Sequence, residues 1–402
     1  MLDTNTINTV KATVPLLEKA GTAITEHFYK RMFTHNPELL NIFNESHQHT
    51  GEQPKALFNA VLAYAKFIDK PEVLTGAIEH IAQKHTGFLI QPEHYPIVGN
   101  HLLATLKELA PEVATDEVLE AWGKAYQVLA GIFIEREATI YSEYERVEGG
   151  WKGPREFTVI EKTIESELIT SFKLAPVDGK PVKSFKPGQY LSVMTKPESS
   201  AYQEIRQYSL SDKPNGQTYR ISVRREDRGL KPGIVSNYLH EQIKVGDTLK
   251  VLPPAGDFYL QANQETPVVL ISAGVGLTPL VSMLNTLVAS NHQAPIFYLH
   301  ACEHSKVHAF KSFIKQTEAE NNNIQSIIWY RQPEATDLQG IDYQFEGTMQ
   351  LDAIKQQLLL PNAQYYLCGP FGFMQAVNQQ LLTMGVEPNQ VHYEVFGPQQ
   401  TL

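Results

Sequence analysis

The chain has 402 residues, enough at roughly 100–200 residues per domain for two to four domains with cores of their own. At 42% hydrophobic and 19% charged it has the composition of a globular enzyme, and a net charge of −10 argues against a nucleic-acid partner, which calls for a basic face. Two cysteines, Cys302 and Cys368, exclude a disulfide framework and fit a reducing cytosol. Met1–Val14 lacks the pattern of a signal peptide, and no apolar run approaches the ~20 residues of a membrane span, so a cytoplasmic protein is expected.

From Asp3 to about Tyr144 the apolar residues recur at three- and four-residue steps, the helical period. Val61, Tyr64, Ala65 and Ile68 form one stripe; Trp122, Tyr126, Leu129, Phe133, Ile140 and Tyr144 form another. Nothing there alternates as a strand does, so residues 1–147 are expected to be all-α. Residues 148–154, with three Gly and one Pro, read as a linker. Short alternating runs follow at Phe157 and Val159, at Tyr190 with Ser192–Met194, and at Tyr219–Val223. Lys186-Pro187-Gly188, Asn215-Gly216 and Pro253–Gly256 punctuate them, which predicts a small barrel or sandwich over 155–264. Pro267–Ile271 is a continuous apolar run, the mark of a strand buried on both faces. A glycine-rich turn, a helix-like stretch at Leu280–Val288 and strand-like runs at Ile296–Leu299, Ile327–Tyr330 and Tyr365–Leu367 predict a doubly wound parallel sheet over 265–402.

Four residues of the helical third stand out. Val73, Ala77, Ile81 and His85 are four apart, which places His85 on a buried helical stripe closed by Gly87. A neutral imidazole on such a face reads either as a metal ligand or as a core histidine satisfied by a carbonyl. Gln53, beside Pro54 in a first helical turn, shares a face with Leu57, Val61 and Tyr64. It either caps its helix or aims a hydrogen bond at a ligand. Glu137 lies on a stripe with Phe133 and Ile140, where a carboxylate is costly unless paired; it either snorkels to the edge or marks a site. Tyr29, among Ile24, Phe28 and Phe33, reads as core packing.

The run Tyr29 … Phe43 … Gln53–Phe58 … Lys84-His85 … Tyr95 … Trp122–Tyr126 … Arg136-Glu137-Ala138 resembles the globin domain of bacterial flavohaemoglobins. The resemblance implies one haem b with His85 as the iron's proximal ligand. Tyr95 and Glu137 would hydrogen-bond around the imidazole and make it more anionic. Tyr29 and Gln53 would form the polar distal side, Leu57 would pack over the ligand site, and Lys84 would lie at the haem edge facing the flavin.

Farther on, Arg206-Gln207-Tyr208-Ser209-Leu210 alternates a guanidinium suited to pyrophosphate, an aromatic ring and a hydroxyl on one strand. With Pro187–Tyr190 upstream, Gly229-Leu230 and Gly233–Leu239 downstream, and Gly256-Asp257-Phe258 closing, the order is similar to the FAD barrel of ferredoxin reductases. The resemblance implies one FAD, with Tyr190, Arg206, Gln207, Tyr208 and Ser209 at the cofactor and Ser236 at a helix start that receives its pyrophosphate. Ser272–Pro279 follows a buried strand and opens a helix. Glycines there allow close phosphate approach, and the helix N-terminus favours an anion. Gly274, Val275, Gly276, Leu277, Thr278 and Pro279 resemble the pyridine-nucleotide turn of the same reductases, binding NADH or NADPH. Cys368, Gly369 and Pro370 follow a strand at the end where such sheets bind ligands, and the resemblance sets the Cys368 thiol beside the nicotinamide. Glu394, Val395, Phe396, Gly397 and Pro398 resemble the family's C-terminal segment. Phe396 would cover the flavin and Glu394 would stand near the flavin–haem gap; Val395 fills a position often held by cysteine.

Three modules in the family's order cover nearly the whole chain. They imply a monomeric nitric oxide dioxygenase acting on NO, O₂ and NAD(P)H. A general NAD(P)H–flavin reductase with the globin as electron sink, or an O₂ or NO sensor globin, are the alternatives. The absence of an output domain counts against a sensor.

Overall fold

The computed structural model describes residues 2–43, 51–227 and 232–397. Its first unit is the helical stretch up to Val147, joined by the short segment Ser200–Ile205 and by Gly397. Helix α1, Thr4–Ala12, opens on Asp3, whose carboxylate accepts from the Thr6 N–H at 2.8 Å, and α2, Val14–Ala20, follows at once. Then come α3 (Ala23–His35), α4 (Glu52–Phe67), α5 (Thr75–Thr86), α6 (His94–Leu109) and α7 (Asp116–Arg146). Helix α7 runs for 31 residues because Trp122, Ala125, Phe133, Ile140 and Tyr144 keep one face buried throughout. Thr115 caps its start, and Asp116 and Glu117 favour the positive end of its dipole.

The second unit begins at Glu148 and holds two six-stranded sheets. In the first, β1 (Arg155–Ile164), β2 (Ile169–Pro176), β3 (Tyr190–Thr195), β4 (Glu204–Ser209), β5 (Tyr219–Arg224) and β6 (Thr248–Val251) lie in the order β4-β3-β6-β1-β2-β5. The pairs β1–β2, β1–β6, β2–β5 and β3–β6 are antiparallel. A single bridge from Leu210 to Ile221 joins the continuation of edge strand β4 to the other edge, β5. The core inside takes alternate residues, among them Phe157, Val159, Phe172, Leu174, Leu191 and Val193. Helix α8, Ile234–Glu241, packs Val235 and Leu239 against it.

The second sheet is parallel, in the order β10-β9-β8-β7-β11-β12, with β7 Val268–Ala273, β8 Ile296–Cys302, β9 Ile324–Tyr330, β10 Phe345–Glu346, β11 Gln364–Cys368 and β12 Val391–Glu394. Strand β7 is buried along its whole length. Val268 and Leu270 enter one core with α9 (Leu277–Ala289) and α10 (Lys311–Glu320). Val269 and Ile271 enter the opposite core, which α11 (Lys355–Leu358) and α12 (Phe371–Thr383) cover. Strand order reverses between β7 and β11, the switch point where such sheets form a ligand crevice.

Candidate active site

On the helical unit, α3 and α4 are pinned together one turn from the residues of interest: Thr25 donates its hydroxyl to the Pro54 carbonyl at 2.7 Å. Tyr29 on α3 and Gln53 on α4 thereby share a hydrogen bond. Tyr29 is buried, stacked on Phe33 at 5.8 Å, and burial pushes its phenol well above the ordinary value, so it stays a neutral donor. Leu57, Phe43, Ile97, Val98 and Leu102, themselves half-buried, pack against the cluster that Tyr29 forms with Phe28, Met32 and Leu39.

His85 ends α5. Its Nδ1 lies 2.7 Å from Glu137 Oε1 and 3.1 Å from the Tyr95 hydroxyl, and Tyr95 donates to the same carboxylate oxygen at 2.5 Å. A carboxylate only accepts, so the proton shared with Glu137 sits on Nδ1 and the lone pair on Nε2. Among the described residues Nε2 makes no hydrogen bond. Glu137 is 2% exposed, so its cost of burial is offset by these two donors. Burial beside that carboxylate also pushes the Tyr95 phenol far up, keeping it a donor. Phe133 stacks on Tyr95, and the Tyr126 hydroxyl holds the Tyr95 carbonyl at 2.7 Å. An imidazole oriented through Nδ1, with Nε2 making no hydrogen bond among the described residues, fits a haem iron ligand.

The stripe expected to bury His85 is only partly so. Val73 precedes α5 in a 3₁₀ turn and is 56% exposed, and the His85 side chain is 32% exposed. Ala77 and Ile81 are half-buried. Gly87 caps α5 in a right-handed conformation; the left-handed residue is Leu89, with φ 58°. Lys84 donates to the Gly397 carbonyl. Sequence reasoning gave no role to Arg136, whose Nε and Nη2 grip Glu79 at 2.6 and 2.9 Å and tie α5 to the helix bearing Glu137. Partners 57 residues apart leave no local signal.

In the antiparallel sheet, Arg206, Gln207, Tyr208 and Ser209 lie on β4, and Tyr190 opens β3 with its N–H on the Ala255 carbonyl. Among the described residues the Gln207 side-chain N–H₂ is buried with no partner, and burial pushes the Tyr208 phenol up. Ser236 is buried in the first turn of α8, whose Gly233 start carries no side-chain cap, leaving N–H groups for an anion. An unsatisfied amide beside a half-buried aromatic and an open helix start fits a flavin dinucleotide. Gly229 and Leu230 lie outside the described residues.

At the switch point, Gly274, Val275 and Gly276 form a 3₁₀ turn into α9, three residues earlier than the helix expected from the apolar pattern. Gly274 has φ +54°, and a Cβ on Gly276 would run into the Cys368 carbonyl and lie 2.6 Å from the Gly369 nitrogen. Leu277, Thr278 and Pro279 are buried in the first turn of α9, and the Thr278 hydroxyl is spent on the Val275 carbonyl at 3.1 Å. Cys368 and Gly369 therefore cross the glycine turn in close contact, as a dinucleotide crevice requires, and Pro370 follows them. The Cys368 thiol itself is fully buried and pushed well above its ordinary value by burial. Glu394 is buried at the end of β12, opposite Cys368 in register. Val395 is half-buried and Phe396 is 46% exposed. Pro398 lies outside the described residues.

The chain matches three families: globin over residues 26–133, the oxidoreductase FAD-binding domain over 156–259 and the oxidoreductase NAD-binding domain over 270–379. Its fold resembles a flavohemoglobin from Malassezia yamatoensis solved with FAD and heme, with a TM-score of 0.86 at 23% identity over 98% of this chain and all of that one. The flavohem-like FAD/NAD-binding domain of a nitric oxide dioxygenase from Vibrio cholerae O1 biovar El Tor is 47% identical over 61% of this chain and 99% of its own, with a TM-score of 0.55. A flavohemoprotein of Vibrio cholerae serotype O1 is 52% identical over 401 residues, 99% of this chain and 98% of its own length. With globin, FAD-binding and NAD-binding domains in one chain and that identity end to end, the protein belongs to the flavohemoprotein family.

Proposed function

We propose that this protein is an NAD(P)H-dependent nitric oxide dioxygenase that converts NO and O₂ to nitrate. The observation that carries the reading is the His85 imidazole held through Nδ1 by buried Glu137 and Tyr95. Its kinship with the Vibrio cholerae dioxygenase reductase supports it. When bound, the cofactors supply the chemistry: a hydride from NADH or NADPH, FAD to hand on its two electrons singly, and a haem b iron where O₂ and NO combine. Two NO, two O₂ and one NADH balance as two nitrate, one NAD⁺ and one proton.

The chain's own residues do the positioning. His85 would hold the iron through Nε2, and the Glu137 carboxylate on its Nδ1–H would strengthen it as an electron donor. Tyr29 and Gln53 bring hydrogen-bond donors into an apolar surrounding, where they favour a ligand that gathers negative charge. Leu57 packs beside them and restricts water. Lys84 would stand at the edge of this site. Tyr190, Arg206, Gln207, Tyr208, Ser209 and Ser236 would hold the FAD. Gly274–Pro279 and Cys368–Pro370 would hold the nicotinamide nucleotide, with the buried Cys368 thiol acting by shape rather than as a nucleophile. The C-terminal segment, Glu394 to Pro398, would cover the flavin.

The reading divides the chain into a globin (1–147), a linker (148–154), a flavin domain (155–264) and a nucleotide domain (265–402). The end of α7 at Arg146 and the start of β1 at Arg155 support the first boundaries. It also takes the protein as a cytoplasmic monomer; both cysteines are free, and no helix among the described residues is long and apolar enough to cross a membrane.

The test adds NO to aerobic protein with NADH and follows NO loss and nitrate together. Rapid NADH-dependent loss with matching nitrate is expected. His85→Ala is expected to abolish both, through loss of haem, while its flavin stays bound. NADH oxidation without NO-dependent nitrate would overturn the proposal in favour of a general reductase.

A further inference from the structure

The helix that starts at the nucleotide turn is fastened to the flavin strand farther along its length. Helix α9 leaves Gly276 and, one turn beyond Thr278, presents Ser282, fully buried, whose hydroxyl donates to the Asp212 carbonyl at 2.6 Å. Asn285, nearly a turn later, donates its side-chain amide to Asp212 Oδ1 at 3.0 Å. Asp212 lies three residues past Ser209, the end of β4. Between the two contacts, Met283 abuts Gly188, just before Tyr190. Gly188 has φ +113°, and a Cβ there would come within 2.7 Å of Met283 Cε and 2.6 Å of the Phe258 carbonyl. A second tie runs alongside. The Arg220 guanidinium, held by the Ser211 carbonyl, lies 5.2 Å over the Phe310 ring, and Phe310 precedes α10 in the left-handed region with φ 58°.

A serine and an asparagine on a mostly apolar helix thus both spend their side chains on one residue of the other sheet's domain. All of them belong to one compact unit. The glycine turn sits at one end of α9 and Asp212 lies just past the end of the flavin strand, so these contacts join the two binding elements. Hydride transfer demands that the donor carbon and acceptor nitrogen approach to about 3–3.5 Å, and an error of ~1 Å can cost ~100-fold in rate.

We infer that Asp212, Ser282 and Asn285 form an interdomain clasp that positions the bound nicotinamide nucleotide against the flavin for hydride transfer. They are positioning residues: they touch neither cofactor motif but join the elements that carry both. The inference rests on the reductase reading above and deepens it. The step served is balanced in itself: a hydride with its electron pair leaves NADH, which becomes NAD⁺, and reduces FAD by two electrons.

The test uses full-length protein without NO and mixes it anaerobically with NADH, following flavin bleaching by stopped flow. The Ser282→Ala/Asn285→Ala double variant is expected to slow the limiting flavin-reduction rate by about tenfold or more, and Asp212→Ala, which keeps the backbone carbonyl that Ser282 uses, to slow it by a smaller factor. FAD content and the half-saturating NADH concentration should change by less than about twofold. Asp212→Asn, which keeps the Oδ1 acceptor, should restore most of the rate. In the FAD-free protein, hydrogen–deuterium exchange should rise in the double variant over residues 210–214 and 277–289, with the outer strands unchanged. Unaltered limiting rates, or rates that fall only in step with FAD loss or weaker NADH binding, would overturn the clasp. Wild-type flavin that neither NADH nor NADPH bleaches would instead overturn the reductase reading beneath it.

Discussion

At the scale of single residues, the site turns on where protons are held. Glu137 can stay buried because Tyr95 and His85 both donate to one of its oxygens. That arrangement leaves the imidazole Nε2 with a lone pair and Nδ1 with a proton under constant pull. Tyr29 is governed by the opposite effect: burial keeps its proton on the oxygen, so it is a donor across the working pH range. Tyr29→Phe removes that donor while preserving the ring that packs on Phe33 and Phe43. O₂ affinity should fall by about tenfold, as for loss of one hydrogen bond worth ~1–1.5 kcal/mol, and NO removal should slow with it. Ligand-rebinding kinetics and the NO electrode check this; unchanged O₂ affinity would remove Tyr29 from the ligand's surroundings. Glu137 was conspicuous in the sequence as a carboxylate on an apolar stripe. His85 was not distinguishable from any core histidine by spacing alone, because its two partners lie 10 and 52 residues away.

At the scale of elements, the glycine turn and the Cys368–Pro370 loop are one crossing built from two strand ends. β7 and β11 are neighbours in register, Ser272 opposite Cys368, so the chain leaving one must pass over the other. Gly276 is the residue at the crossing. Gly276→Ala would press a methyl into the Cys368–Gly369 backbone, which has no flexible side-chain end to yield. The expected cost is about 1–3 kcal/mol of stability in this domain, with FAD retained and flavin reduction by NADH lost or severely slowed. Thermal melting together with anaerobic flavin reduction checks it. A variant with wild-type kinetics would show that the crossing is looser than this geometry. Secondary structure at this scale was largely legible. The strands at Ile296, Ile327 and Tyr365 were each found from their apolar runs, though shorter than they are. The apolar run alone began α9 at Leu280, three residues late, because glycine and proline mask a helix in sequence, whereas the turn motif placed its start at Thr278-Pro279.

At the scale of the whole molecule, a buried histidine pair sets how the reductase unit meets acid. His300 and His308 stack with ring centres 5.2 Å apart, His300 on Ser272 and His308 on Tyr330. Burial pushes His300 down to about 3 and His308 well below its ordinary value. The folded chain therefore refuses protons that the unfolded chain accepts below about pH 6.5. Stability contributed by the neutral pair is full above that pH and is lost as pH falls from about 6.5 towards 3, by at most ~1.4 kcal/mol per pH unit for each ring. Urea midpoints at pH 7 and pH 5, with FAD held in excess, should drop less for His300→Asn than for the wild type. Equal drops would mean that other groups set the acid limit.

Much was determined by the sequence alone. The helical period to Tyr144, the Gly-Pro break at 148–154, the alternating strands and the apolar run at Pro267–Ile271 established the order of the three folds. These are local signals: periodicity and turn chemistry are written into adjacent residues. The family resemblance that the motifs carry jointly implied the cofactors. Only the tertiary structure decided which side chains meet. It joined His85 to Glu137 and Tyr95, gave Glu79 to Arg136, set Gly276 against Cys368 and brought Ser282 and Asn285 to Asp212. It also showed the His85 face to be half-open and the Cys368 thiol to be sealed. The physical reason is the same in each case: burial and pairing depend on residues that are distant in the chain, and no local pattern carries the identity of a partner that folding alone brings near.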